Sequence, residues 1–336
     1  MARVSTSTAE SRPAALLGLA PATAGIACCV VSTLGYSAAN IIMGWLSKPE
    51  MHCDPAWATC NKEMVTVLVV GPWLVAQALR GLPTLPKGRP LVLLVLAGLA
   101  TQLGGNAPMQ WAYGVAGVAV MVPALFAFML TAVAILGKAL LGEEVSLRTM
   151  AAIGVLFASL ALLGVGAGQA NPADAVPAHG GSPWVIAAAV TVACLAGVIY
   201  ALLSITIRHC VTGTTRLSAV VVIITGIGAL TLAPLSVARL GITQLAQTPP
   251  EHFGWMTAAG LCNLVAFLAL TRGLQLISAV HVNLLNAAQV ALSAAGGMLV
   301  LGEPRNAWLV CGIVLTIVGI FTIGRPASEE AVDQHV

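Results

Sequence analysis

The sequence predicts an all-α integral membrane protein of ten transmembrane helices, arranged as two inverted five-helix repeats. Three observations predict it. The 336 residues are 58% hydrophobic and only 8% charged, against about 25% charged in an ordinary soluble domain, and one water-soluble core cannot absorb that excess. The apolar runs are long and unbroken, unlike the short alternating segments of an outer-membrane barrel. The chain also repeats. A slide of 160 residues sets Leu141-Gly142-Glu143 on Leu301-Gly302-Glu303 and Ala119-Val120 on Ala279-Val280.

Residues 1–13 are polar, hold Arg3 and Arg12, and read as a disordered cytoplasmic lead. Ala22-Thr23-Ala24 has the form of a signal-peptidase site, but the apolar stretch before it is short and broken by Pro21, so a span is expected instead. That span is the charge-free run 13–47. Further charge-poor runs cover 64–79, 90–112, 117–141, 148–168, 184–207, 217–238, 254–271, 278–301 and 306–324, near the ~20 residues that a crossing needs. The first repeat is assigned to 14–168 and the second to 184–324, with an outer linker at 169–183 and a cytoplasmic tail at 325–336. Gly35-Tyr36-Ser37 lies opposite Ile199-Tyr200-Ala201, and both closing helices are rich in glycine. Five helices is an odd number, so the second unit enters the membrane upside down, an arrangement that puts a binding site near the midplane.

With the N-terminus inside, Arg3, Arg12, Arg80, Lys87, Arg89, Lys138, Arg148, Arg208, Arg216, Arg272 and Arg325 fall on the inner side. Lys48, Lys62, Arg239 and Arg305 fall outside. This positive-inside bias places both termini in the cytoplasm, and the cytoplasmic (inner) membrane of a bacterium is the expected location.

Three runs carry uncharged polar stripes. At ~100° per residue, Asn283, Asn286, Gln289 and Ser293 fall within roughly 120° of one another, Gln102, Asn106, Gln110 and Tyr113 within ~80°, and Thr33, Tyr36 and Asn40 within about 60°. Amides face lipid at a cost, so the stripes look into protein or water. One reading is helix glue at ~0.6–2 kcal/mol per bond. The other is a shared wet cavity, favoured because three stripes converge. The fourth-helix positions equivalent to the amide stripe are Pro123, Phe126, Met129 and Val133. The inferred cavity therefore has an amide wall and an apolar wall, which suits a small amphipathic solute; ordinary packing explains Phe126 and Met129 equally well.

The acidic residues are expected in loops, tails or helix ends, with Glu63 closest to entering a span, so no proton relay through a deep carboxylate is visible. His281 falls away from the amide stripe. Cys53 and Cys60 share a polar loop; with His52 and Asp54 they match no zinc spacing, and a loop-closing disulfide is the simpler expectation. Glu143-Glu144-Val145-Ser146-Leu147-Arg148 has the Glu-Glu-x-x-x-Arg spacing of intramembrane proteases that include prenyl-protein peptidases. The following run holds no histidine, however, and Glu143 recurs as Glu303. No catalytic residue, metal or cofactor is expected, and the net charge of +3 points to no nucleic-acid partner.

Two five-helix units, each with Leu-Gly-Glu closing its fourth helix and a glycine-rich fifth, resemble the EamA family of the drug/metabolite transporter superfamily. The resemblance covers 25–168 and 184–324, carried by Leu141-Gly142-Glu143 and Leu301-Gly302-Glu303-Pro304. It implies ten helices, cytoplasmic termini and alternating access around a central cavity, in a family whose members export amino acids and other metabolites or carry sugar derivatives. The family often has a proline about a dozen residues before Leu-Gly-Glu; here Met129 and Gln289 stand near those places, so no substrate carries over. The expected function is that of a secondary transporter, export favoured, for a small solute such as an amino acid or related metabolite. Its partners would be that solute and the lipid bilayer, with a homodimer allowed. The alternative is a membrane-embedded binding or scaffold protein whose stripes only join helices.

Overall fold

The structure, a computed structural model, describes residues 20–51, 53–82, 84–142, 147–168, 183–212, 215–303 and 307–321. The expected lead, the tail and nearly all of the linker lie outside them, as does Glu143. Helices account for almost everything else: α1 (Pro21–Leu46), α2 (Pro55–Leu79), α3 (Arg89–Ala100), α4 (Ala107–Ala116), α5 (Val118–Leu141), α6 (Leu147–Gly168), α7 (Pro183–Val211), α8 (Leu217–Ala246), α9 (Pro250–Leu276), α10 (Ala279–Asn286), α11 (Ala288–Leu299) and α12 (Ala307–Phe321). No strand occurs among the described residues. Among the described residues, eight segments are long and apolar enough to cross a membrane, counting α3–α4 and α10–α11 as one each.

Four departures from the expected runs matter for function. α2 begins at Pro55 rather than near residue 64, because Asp54 accepts hydrogen bonds from the N–H groups of Ala56 and Trp57 and Pro55 has its φ preset for a first turn. Glu63 therefore sits in the third turn of a helix. A π-helical turn, Thr101–Asn106, joins α3 to α4. The run 278–301 is two helices, interrupted at Ala287. α8 continues to Ala246 through a non-helical Gly241, so Arg239 lies on a helix and pairs with Asp54 at 3.2 Å.

The main pairings are α1 with α9, α5 with α7, α6 with α12 and α2 with α8. Close approach is sequence-encoded. A Cβ on Gly197 of α7 would lie 2.2 Å from the Leu125 carbonyl oxygen of α5, and one on Gly35 of α1 would lie 2.9 Å from the Cys262 oxygen of α9. The repeated Leu-Gly-Glu explains itself as a stop signal: Gly142 and Gly302 take φ of 66° and 69°, the left-handed geometry that glycine adopts without a Cβ penalty. Glu303 then turns back across the bundle. Its two carboxylate oxygens accept from Val118 N at 2.9 Å and Ala119 N at 3.0 Å, satisfying the orphan first turn of α5. Burial raises the Glu303 carboxyl above its ordinary range, opposed by those N–H bonds and by Lys48.

Candidate functional site: a central cavity with a buried ion pair

A central cavity of about 150 Å³ is enclosed by side chains from α1, α2, the π turn, α4, α5 and α7 to α11. Its size is roughly what a benzene ring fills. Its polar end is built on α2. Lys62 Nζ lies 3.1 Å from Glu63 Oε1, with both side chains buried. Asn106 of the π turn donates to the same oxygen at 3.2 Å and to Gln102 Oε1 at 2.9 Å. The Tyr200 hydroxyl of α7 donates to Asn106 Oδ1, and Gln102 donates to the Ile224 carbonyl of α8. Four helical segments are thus tied to one carboxylate. Glu63 Oε2 takes no hydrogen bond from any described residue.

The amide helix forms the second polar face. Asn283 and Asn286 each donate to the carbonyl four residues back, Ala279 O at 2.8 Å and Val282 O at 2.9 Å. Their oxygens accept from other elements, Asn283 from Ser204 of α7 and Asn286 from Ser32 and Thr33 of α1 and from Gln289. Gln289 Oε1 is left without a partner among the described residues. The apolar part of the lining comes mainly from two helices: α5 contributes Val122, Leu125, Phe126 and Met129, and α9 adds Phe267 and Leu270.

Of the residues expected to bind solute, Tyr36, Asn40, Gln102, Asn106, Tyr113, Phe126, Met129, Asn283, Asn286 and Gln289 line this one cavity. Thr33, Gln110 and Ser293 do not. Thr33 reaches Asn286 and the Leu285 carbonyl and so joins α1 to α10. Gln110 donates to the Met43 carbonyl at 2.8 Å and to Ser47 Oγ at 2.7 Å, because the π turn breaks the α-helical phase that put it on one stripe with Gln102. Ser293, beyond the interruption at Ala287, is fully buried in packing. His281 sits in the first turn of α10 with Nδ1 2.7 Å from Ser278 Oγ, away from the cavity.

The cavity also holds residues that the sequence reading missed, notably Lys62, Glu63, Tyr200, Ser204 and Asn263. The Asp54-Pro55 pair was the signal for the first two, since it starts the helix early enough to carry Glu63 inward. The match of Tyr36 with Tyr200 across the repeat was the signal for the third.

The disulfide expectation is corrected. Cys53 and Cys60 are free thiols. Their presumed loop is helix from Pro55, so Cys60 lies in its second turn with Sγ 4.0 Å from the Ala229 carbonyl of α8, pointed at a neighbouring helix rather than back at Cys53. Burial, with Asp54 adding, pushes the Cys53 thiol up to about 12, which leaves little thiolate to attack a disulfide or an oxidant.

Long apolar helices closed around a small cavity with both polar and apolar lining define a polytopic helical membrane protein. Residues 187–325 match the model of the EamA-like transporter family, so the second half of the chain is similar to that family, and with its apolar helices the protein is an integral membrane protein. The resemblance carried by the Leu-Gly-Glu pair is shown for that half. A solved structure titled only "Crystal structure of protein" is similar in fold, with a TM-score of 0.63 at 18% identity over 89% of this chain and 96% of that one. No curated protein matches the sequence.

Proposed function

We propose that this protein is a secondary transporter that moves a small amphipathic organic solute by alternating access through the central cavity, with export favoured. The observation that carries the reading is the Lys62–Glu63 pair, buried in the lining of the same cavity to which α5 gives its apolar side chains. A buried ion pair is weak evidence for stability, because desolvation offsets much of its attraction, so a pair kept in the lining of a cavity is better explained by what it offers there. Beside a solute it offers one cation, one anion and the free Oε2 of Glu63. The charges cancel, so a net-neutral or zwitterionic solute such as an amino acid or a related metabolite matches the cavity best.

The reading takes α6 and α12 as the fifth and tenth crossings of two inverted five-helix repeats. Matched pairings support it. α2 packs on α8 and α6 on α12, while α1 against α9 has its counterpart in α7 against the π turn and α4. The positive-inside bias puts both termini in the cytoplasm. A specific observation favours the second reading, that of a scaffold without transport: Gln110, Thr33 and Asn286 make hydrogen bonds that join helices. A metabolite screen with purified protein in sealed vesicles, solute supplied on one side, separates the two. Saturable flux of a small net-neutral solute is expected. Intact, folded protein that moves nothing in the screen overturns the transport reading.

A further inference from the structure

A second crevice opens between α2, α8 and α9, at the ends nearest Leu79, Leu217 and Leu276, and shares no lining residue with the central cavity. Its volume is about 840 Å³. Two guanidinium groups line it. Arg216 donates to Gln77 Oε1 and Arg272 to Gln275 Oε1, both neutral amides, and no carboxylate pairs with either arginine among the described residues. Two positive charges therefore flank one crevice, with most of their N–H donors unused.

The crevice also meets the first turn of α8. Arg216 is its N-cap and supplies no side-chain cap, and the N–H groups of Leu217 and Ser218 find no acceptor among the described residues. A 30-residue helix presents the positive end of its dipole there. The hydroxyls of Thr215 and Ser218 line the same space. Each residue is only 8% exposed, and neither hydroxyl has a hydrogen-bond partner among the described residues. Two hydroxyls not engaged by any described residue, beside two unneutralised arginines and an uncapped helix start, make a set of donors suited to an oxyanion with several acceptor atoms.

The remaining walls say where that oxyanion comes from. Val69 and Trp73 of α2 are half exposed, at 54% and 53%, and with Leu268 they give the crevice an apolar side that opens outward from the bundle. Tryptophan near the end of a crossing helix is a headgroup-level residue. We propose that this crevice binds the phosphate group of an anionic membrane phospholipid, held by Arg216, Arg272 and the start of α8, with an acyl chain along Val69 and Trp73. The orientation proposed above puts the site in the cytoplasmic leaflet, where anionic headgroups meet basic side chains.

Native mass spectrometry of the full chain in a neutral detergent, titrated with phosphatidylglycerol or with phosphatidylcholine of the same acyl chains, tests this. The wild type is expected to retain phosphatidylglycerol about 30-fold more strongly than phosphatidylcholine, the two arginines contributing roughly 1 kcal/mol each. Arg216→Gln/Arg272→Gln should bring the two lipids to parity. Equal retention by the wild type overturns the proposal, as does a folded double variant that keeps the preference. If the double variant does not fold, Arg216→Gln alone must lower the preference, and an unchanged ratio counts against the site. Thermal stabilisation by millimolar inorganic phosphate, without any lipid preference, would mean a soluble oxyanion in place of a lipid and would also overturn it.

Discussion

α5 and the α10–α11 pair both line the cavity, and both end in Leu-Gly with the glycine in the left-handed region. They are nevertheless built by opposite rules. α5 runs unbroken for 24 residues and shows the cavity only apolar side chains. α10–α11 shows it Asn283, Asn286 and Gln289, and it is interrupted at Ala287. The two also differ in side-chain bonding. The amides of α10 bond the carbonyls of their own preceding turn, Asn283 to Ala279 O and Asn286 to Val282 O, while the side chains that α5 turns to the cavity have no polar atom to offer. The continuous helix gives the cavity apolar surface, while the interrupted one, with Lys62 and Glu63 of α2, gives it polar groups.

The largest effect that would break this division is expected at the ion pair. Glu63→Gln leaves a buried lysine without its counter-charge, a loss of about 3–5 kcal/mol in the usual case. Melting temperature should fall sharply and flux should vanish. Lys62→Met combined with Glu63→Gln should restore most of the stability, because an isosteric neutral pair often replaces a buried ion pair without loss, while flux stays absent. A double variant that remains as unstable as Glu63→Gln would show that the pair supports the fold beyond its charge.

Next come the amides, which the structure separates into two kinds. Gln289→Leu removes a cavity amide oxygen that accepts no hydrogen bond from a described residue, so flux should fall by roughly 5- to 150-fold, as about 1–3 kcal/mol of solute contact is lost, with melting little changed. Asn286→Leu also deprives Ser32 and Thr33 of their acceptor, so melting and flux should fall together. Identical behaviour of the two variants in parallel melting and flux assays would erase the distinction.

On the apolar wall, Phe126→Leu should alter selectivity rather than activity, shifting the ratio of rates for a small and a larger solute by roughly tenfold. A uniform loss for all solutes would place Phe126 in packing alone.

The smallest effect is expected at Glu303. Its folded-state carboxyl is raised by burial, so the folded protein holds the proton more tightly than the unfolded chain does. The stabilisation this gives is fully present below the ordinary glutamate range, near 4.5, and is lost as pH rises through the raised value. Melting temperature followed from pH 4 upward should decline over that window by an amount that Glu303→Gln reduces. A steeper decline in Glu303→Gln would reverse the assignment.

Much of the cavity was legible in the sequence because polar residues in a charge-poor run stand out, and helical spacing then says which of them share a face. Asn283, Asn286, Gln289, Gln102 and Asn106 were found that way. Gln110 was misplaced because the phase was carried at 3.6 residues per turn through a π turn that Thr101–Asn106 does not announce by composition. Lys62 and Glu63 were missed for a different reason. Charge was taken to mark the end of a span, but the N-cap at Asp54 starts α2 so early that its third turn already faces the cavity. The disulfide expectation failed on the same helix start, since Cys60 became a helical residue facing α8.

Solute flux into vesicles that carry the Lys62→Met/Glu63→Gln protein, set beside its melting temperature, tests the assignment of the ion pair to the solute site most directly. A transporter that binds its solute at this pair should yield a variant that melts close to the wild type and moves no solute above protein-free vesicles. Wild-type flux from that folded variant would contradict the assignment and leave Lys62 and Glu63 as structure alone.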